Sequence, residues 1–424
     1  MNKDNVLILI EAMVPFTNYW GGCQRAYMFG QKLIESGYKV HVICRNQSQN
    51  DEGIVEHNGM IVCGRGRPIT SQSDNVGSMN LSIKRRVKNF VKNNSQLKKM
   101  AMDFSRFLYS EPSVFDGGMS ANWVKDNINY IKDYIRDNKI GLVIISGPPF
   151  GLFRIASILK KSVKVVLDYR DPWTLWYEKV SLASIFEKRA LKNADLIITS
   201  TNALADSIKS HFKVENVYPI LNGYNKKMWE SLDPFVNQEK HFVISHIGLI
   251  TLNREGGFRN ATNFIKAVDA FLSNHEDAIA QFVGVKNPEE GYQLGLNNRL
   301  FFLPQVPVER SLEMIRESNV LVALHTAEDS SGKYIICGKI YDYLMSGNYI
   351  LSIGDYAYAN CEMVMSNKAG IHCKNDVKEI LAALNLLYQK WKGGSAEMCH
   401  RDTDQYSRDY QNTQFLRLVE AITE

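Results

Sequence analysis

No apolar run in this 424-residue chain approaches the roughly 20 residues that cross a bilayer, so no membrane-spanning helix is expected. The opening stretch MNKDNVLILIEAMVPF has neither a basic leading region nor a small-residue cleavage site. It reads as a first β-strand, and a cytoplasmic chain is expected. The seven cysteines (Cys23, Cys44, Cys63, Cys337, Cys361, Cys373 and Cys399) are scattered, with no CxxC pair and no histidine at metal spacing. That argues against a zinc site or a disulfide framework and for reduced, structural thiols. A GxGxxG fingerprint is also missing: the first strand is followed by GGCQ, and the second strand ends at Arg45 rather than at an acid, which disfavours a dinucleotide-dependent oxidoreductase. There is no short repeat or low-complexity tract. The net charge of +5 is slight, and no nucleic-acid partner is expected.

What is present is alternation. Short β-branched apolar runs such as NVLILIEA, YKVHVICR, GLVIIS, KVVLDY and ADLIITS are separated by segments of helical apolar spacing, the sign of βαβ units and parallel sheets. The polar connector KKMWESLDPFVNQEK interrupts this pattern, which restarts with HFVISHIG, AIAQFVG, RLFFLP, NVLVALH and NYILSIG. An α/β chain of two Rossmann-like domains follows: residues 1–230, carrying a long basic insertion at about 65–119, and residues 238–404. A last helix within 405–424 can belong to either domain. Parallel sheets bind ligands beyond the carboxyl ends of their strands, so the two domains are expected to face each other across a cleft.

Several strand ends carry chemistry. Gly21 and Gly22 open the first helix, where close backbone approach and the helix dipole suit a diphosphate; a plain connecting loop is the alternative. The strand KVVLDY delivers Asp168, Arg170 and Asp171 to one point before Pro172 and Trp173. Buried charges cost several kcal/mol, roughly, unless paired, so either these charges satisfy one another or something binds there. Arg254 and Arg259 lie between a strand and a helix, where a guanidinium fork fits phosphate. Lys333, Lys339 and Asp342 gather around a helix start. Lysine there opposes the helix dipole and is favoured chiefly when an anion joins it, while the carboxylate can accept hydrogen bonds from ribose hydroxyls. Asp402-Thr403-Asp404 follows no strand and reads as a polar loop, and His246, within a strand, reads as a core residue.

In order and spacing, these features resemble the retaining GT-B glycosyltransferases of family 4, also called glycosyl transferases group 1. The carrying elements are the Gly21-Gly22 loop, SGPPF (146–150), DYRDPW (168–173), ADLIITST (194–201), NGY (222–224), HIG (246–248), FFLPQVPVERSLEMIRESNVLVAL (301–324) and GKIYDYLMSG (338–347). The variant with PP, RDPW and KxxEYLxxG elements is similar to enzymes of bacterial surface polysaccharide assembly. The resemblance implies a nucleotide sugar held mostly by the second domain. Its base would lie near Val306 and Pro307, its diphosphate on Arg254 or Arg259, Lys339 and the glycine loop, and its ribose on the acid of the EYL element. Three positions depart from the pattern: Asp342 replaces the usual Glu, Tyr334 stands where an earlier Glu is usual, and Arg170 replaces a His found in many relatives.

The implied reaction is sugar transfer to a saccharide or lipid-linked saccharide with retention, in O-antigen, capsule or exopolysaccharide biosynthesis. Neither metal nor cofactor is expected. Asp171 or Asp168 would orient the acceptor or support the cationic transition state, with Arg170 fixing them. Lys84, Arg85, Arg86, Lys88, Lys92, Lys98, Lys99 and Arg106, opposed only by Asp103, suit an anionic leaflet on the inner face of the cytoplasmic membrane or form a solvated helical face. A nucleotide-sugar epimerase of the same fold and a catalytically silent sugar-nucleotide-binding partner are the other functions the sequence allows.

Overall fold

A computed structural model describes residues 2–15, 21–45, 53–66, 96, 100, 119–159, 162–176, 181–233, 241–252, 259–326, 330–394 and 402–424. The chain forms two compact units, residues 1–220 with 412–424, and residues 221–411. The first contains β1 (Asn2–Leu9), α1 (Gly21–Glu35), β2 (Lys39–Arg45), β3 (Gly53–His57), β4 (Met60–Arg65), α2 (Met119–Asp137), β5 (Ile140–Gly147), α3 (Arg154–Ile158), β6 (Lys164–Tyr169), α4 (Ala183–Leu191), β7 (Leu196–Thr199), α5 (Asn202–Phe212) and β8 (Val217–Pro219). Its sheet runs in the order β3-β4-β2-β1-β5-β6-β7-β8. Every pairing is parallel except β3 with β4.

That antiparallel hairpin is absent from the strands expected from sequence. Its turn is Asn58-Gly59, both with positive φ (49° and 79°), the backbone that an Asn-Gly pair supplies for tight hairpins. The strand leading into it is almost wholly exposed and shows no buried alternation to reveal it.

The second unit contains α6 (Lys226–Glu230), β9 (Phe242–Ile247), α7 (Thr262–Asn274), β10 (Ala278–Val283), α8 (Pro288–Tyr292), β11 (Leu300–Leu303), α9 (Val308–Arg316), β12 (Val320–Leu324), α10 (Lys339–Ser346), β13 (Tyr349–Ile353), α11 (Ala359–Ser366), β14 (Gly370–Cys373) and α12 (Val377–Lys392). Its sheet, β11-β10-β9-β12-β13-β14, is parallel throughout. Within the connector read as polar, α6 is an ordered turn of helix, with Asn225 capping it through a bond from the Met228 amide. The last helix, α13 (Arg408–Thr423), starts among residues of the second unit, and from Asn412 onward clusters with the first.

Strand interiors are near-continuous apolar runs because helices cover both faces. Val6, Ile8, Val40 and Val42 pack with Phe29 and Leu33 of α1 in the first unit, and Phe242, Ile244 and Phe282 with Phe264 and Val268 of α7 in the second. Each such side chain contributes about 1.5–3 kcal/mol by leaving water. Among the described residues no helix is long and apolar enough to cross a membrane. The basic segment 84–106 lies outside the described residues, except for positions 96 and 100.

Candidate active site

In the first unit, parallel pairing brings the carboxyl ends of β1, β5, β6 and β7 to one edge. Ser146 sits opposite Asp168 in register. Asp168 is fully buried. One carboxylate oxygen accepts from Arg25 Nε at 2.8 Å, and the other from Ser146 Oγ at 2.8 Å. Arg25, nearly buried on α1, also donates to the Ile220 carbonyl at 2.6 Å. Asp168 is therefore a paired residue that ties β6, β5, α1 and the end of β8 together, and its partner is Arg25, not Arg170. The sequence holds no local signal for this pair, since the two residues are 143 positions apart.

Arg170 makes no ion pair with either aspartate. Its fork donates to the carbonyls of Gly22 and Pro148, so the guanidinium joins the start of α1 to the corner after β5. This corrects the expectation that Arg170 fixes the aspartates directly; its charge only acts on them through space. Burial lowers its pKa, while the charges of Asp168, Asp171 and Glu11 oppose that shift. Its backbone is held on both sides, by the Gly147 carbonyl (2.9 Å) and by Ser200 Oγ (2.8 Å).

Asp171 is only partly buried, yet its surroundings raise its carboxyl pKa by desolvation against the opposing charge of Arg170. It accepts no hydrogen bond from any described residue. Trp173 is packed rather than presented: it is 3 % exposed and stacks on Phe150 at 5.4 Å and 8°. At the same end of the sheet Glu11, Arg45, Ser120, Trp123 and Pro149 line a small surface recess, with Glu11 and Arg45 forming an ion pair.

The second unit builds its own edge. Gly248 (φ 145°) ends β9, and Gly284 (φ 97°) ends β10. A Cβ on Gly284 would lie 3.2 Å from the Gly248 carbonyl, so the two turns touch by backbone and only glycine fits. Tyr343 of α10 clamps this end, its hydroxyl meeting both the Ile247 amide (3.2 Å) and the Ile247 carbonyl (3.3 Å).

Arg259 is exposed, and its carbonyl accepts from the Thr251 amide at 2.8 Å. Lys339 begins α10, a start with no side-chain cap. Both cations act on His246, whose pKa is pushed down to about 4, first by burial and then by Arg259 and Lys339. His246 is a core residue in part: Nδ1 meets the Val322 carbonyl at 2.8 Å, but Nε2 is buried with no partner among the described residues. Arg254 lies outside the described residues.

Asp342, partly buried, accepts from Trp229 Nε1 of α6 at 3.0 Å. Its second oxygen receives no bond from any described residue. Burial raises its pKa, opposed by the Trp229 bond and by the charges of Lys339 and Arg408. Trp229 was hidden in the connector, and nothing in its local sequence marks it as a partner of a residue 113 positions away. Lys333 closes a single 3-10 turn, Ser330–Lys333, and the Tyr334 amide donates back to the Ser331 carbonyl (2.9 Å). Val306 is half-buried in the loop between β11 and α9. Because β9 to β12 are parallel neighbours, the loops bearing Arg259, Val306, Lys333 and Tyr334 all leave the same edge. Asp404, of the DTD triplet, meets Lys226 at 3.2 Å on the surface.

No protein-family model and no curated protein matches the chain. Solved structures do. Sucrose-phosphate synthase from Thermosynechococcus elongatus superposes with a TM-score of 0.62 at 13 % identity over 99 % of each chain. A glycosyltransferase from Rickettsia africae ESF-5 gives 0.60 at 12 % identity over 100 % of each chain. An E. coli structure described as trehalose-6-phosphate bound with UDP-2-fluoro glucose gives 0.62 at 11 % identity over 99 % of each. The chain has the GT-B fold. Two Rossmann-like sheets, of eight and six strands and parallel except for the β3–β4 pair, belong to that fold, and their carboxyl edges carry the two residue sets described above.

Proposed function

We propose that the chain is a glycosyltransferase that moves a sugar from a nucleotide-sugar donor to a saccharide or lipid-linked saccharide acceptor, with retention, in bacterial cell-surface polysaccharide biosynthesis. The observation that carries this reading is the edge of the second sheet. The charges of two cations, Arg259 and Lys339, act on His246 near the glycine-bounded end of β9, and Asp342 keeps one carboxylate oxygen without a hydrogen bond from any described residue. Cations suit a diphosphate, and a carboxylate suits ribose hydroxyls. The similar E. coli structure is described with a UDP-fluorosugar, which agrees with that chemistry.

In this mechanism the bond from the anomeric carbon to the diphosphate oxygen breaks as the acceptor oxygen bonds to the same face. The acceptor's proton passes to the departing phosphate oxygen. Arg259 and Lys339 stabilise the charge that develops on the leaving group without reorganising, so the transfer needs no metal. Lys333, Tyr334 and Val306 contribute the rest of the donor surface on the second unit, and Asp171 of the first orients the acceptor. The basic segment 84–106 holds the enzyme on the anionic inner face of the cytoplasmic membrane.

A thermal-shift screen against UDP, GDP, ADP and CMP sugars, followed by mass spectrometry of products in EDTA, tests the reading. One nucleotide class should raise the melting temperature, since ligand at 100 times its Kd stabilises by about 2.7 kcal/mol. That donor should then release its nucleotide, a diphosphate from UDP, GDP or ADP sugars and CMP from CMP sugars, in the presence of the chelator. Isomerisation of the donor without nucleotide release indicates an epimerase instead; binding without conversion indicates a silent partner. The absence of stabilisation by every sugar nucleotide defeats the reading.

A further inference from the structure

Glu187 of α4 is fully buried beneath the strand end that carries Asp171. Its Oε2 accepts from both the backbone amide of Thr174 (3.1 Å) and the Thr174 hydroxyl. Thr174 begins the 3-10 turn Thr174–Trp176, three residues after Asp171, so this carboxylate anchors the turn that follows the RDPW element. Its Oε1 is buried with no partner among the described residues, and the hydroxyl of buried Tyr169 lies beside Glu187 without completing a hydrogen bond. Those two residues, Tyr169 from β6 and Thr174 from the turn, are the groups that face it among the described residues. On the neighbouring helix α3, the Arg154 guanidinium lies over the Phe186 ring at 4.1 Å. On α4 itself, Lys188 and Arg189 are exposed.

We propose that Glu187 is a positioning residue whose protonation state sets how firmly the turn that follows Asp171 is held. The inference rests on the reading of Asp171 as the acceptor-side carboxylate. Burial, opposed only by the Thr174 hydrogen bonds and by the neighbouring Tyr169 hydroxyl, pushes the Glu187 carboxyl up to about 7. When ionised, Oε2 is a charge-assisted acceptor for both Thr174 donors, and such bonds are roughly twice as strong as neutral ones. When the proton is added, it goes to the unpartnered Oε1 and leaves Oε2 a weaker carbonyl acceptor. The turn loosens on acidification and tightens above neutrality, a dependence that a merely structural carboxylate with an ordinary pKa would not show near pH 7.

The full chain labelled with 5-fluorotryptophan gives one fluorine resonance for each of its six tryptophans, and Trp173→Phe assigns the one directly before the turn. In the wild type the Trp173 signal should titrate with a midpoint near 7, and in Glu187→Gln it should be flat across the same range. Thr174→Val removes one of the bonds that hold the carboxyl pKa down, so its midpoint should rise; this variant also serves if Glu187→Gln does not fold. Nucleoside diphosphate release from whichever of UDP-glucose, UDP-N-acetylglucosamine or GDP-mannose is turned over should rise roughly threefold between about pH 6 and pH 8, and lose that limb in Glu187→Gln. A Trp173 midpoint unchanged in both variants overturns the inference. If no donor is turned over while Trp173 titrates as described, the transferase reading fails and the switch at Glu187 stands.

Discussion

Asp168 and Asp171 stand three residues apart and are held in opposite ways. Asp168 is wholly buried between Arg25 and Ser146. Stripping one partner from such a pair costs about 3–5 kcal/mol, so loss of activity in an Asp168 variant reports on folding before it reports on chemistry. Asp171 lacks a hydrogen-bonding partner among the described residues, and burial raises its pKa. A raised folded-state value means that its favourable contribution is present below the ordinary carboxyl value of 3.8 and is lost as pH rises through the folded-state value. Ionising Asp171 in the folded protein therefore costs stability. Asp171→Asn should therefore melt higher than the wild type at neutral pH, with the gap closing as the pH falls below 3.8. The same change should slow sugar transfer about a hundredfold or more while leaving donor affinity intact. Calorimetry across pH, paired with the transfer assay, measures both, and an unchanged rate removes Asp171 from the mechanism.

At the scale of elements, α6 and α10 are joined by an indole–carboxylate bond, Trp229 to Asp342. That bond helps hold the Asp342 pKa down against burial. Trp229→Phe keeps the ring and deletes the donor, so the Asp342 pKa should rise further and its carboxylate should be lost at a higher pH. Donor affinity measured calorimetrically at neutral pH should fall about fivefold, the equivalent of one hydrogen bond, and more steeply on acidification than in the wild type. Affinity equal to wild type at both ends of the range would separate Asp342 from donor binding. The elements themselves were legible from sequence because parallel strands covered on both faces are unbroken apolar runs. Exceptions were the β3–β4 hairpin, whose first strand is exposed and shows no period, and β14, with only four residues. What sequence could not show is which side chains those elements bring together. Arg25 with Asp168, Trp229 with Asp342 and Glu187 with Tyr169 are set by sheet order and helix docking, which leave no pattern in adjacent residues.

For the molecule as a whole, the return of α13 decides how the first unit is closed. Phe415 and Val419 are fully buried in its core. Phe415 stacks on Phe29 of α1 at 4.0 Å and 18°, and Arg25 lies over the other end of this contact chain, 4.8 Å from the Phe29 ring. A residue near the end of the chain thus supports the guanidinium that satisfies Asp168. Truncating a buried phenylalanine costs about 3–5 kcal/mol, and the loss should fall on one unit, because the two have separate cores. In Phe415→Ala, amide hydrogen exchange followed by mass spectrometry should speed up across β1, β2 and β5, where the core loses packing, and in β6 beside Asp168. Exchange in β9, β10 and β12 should match the wild type. Equal acceleration in both sheets would mean that the two units unfold as one cooperative body, and the order in which they open would then depend on their coupling rather than on the core that α13 completes.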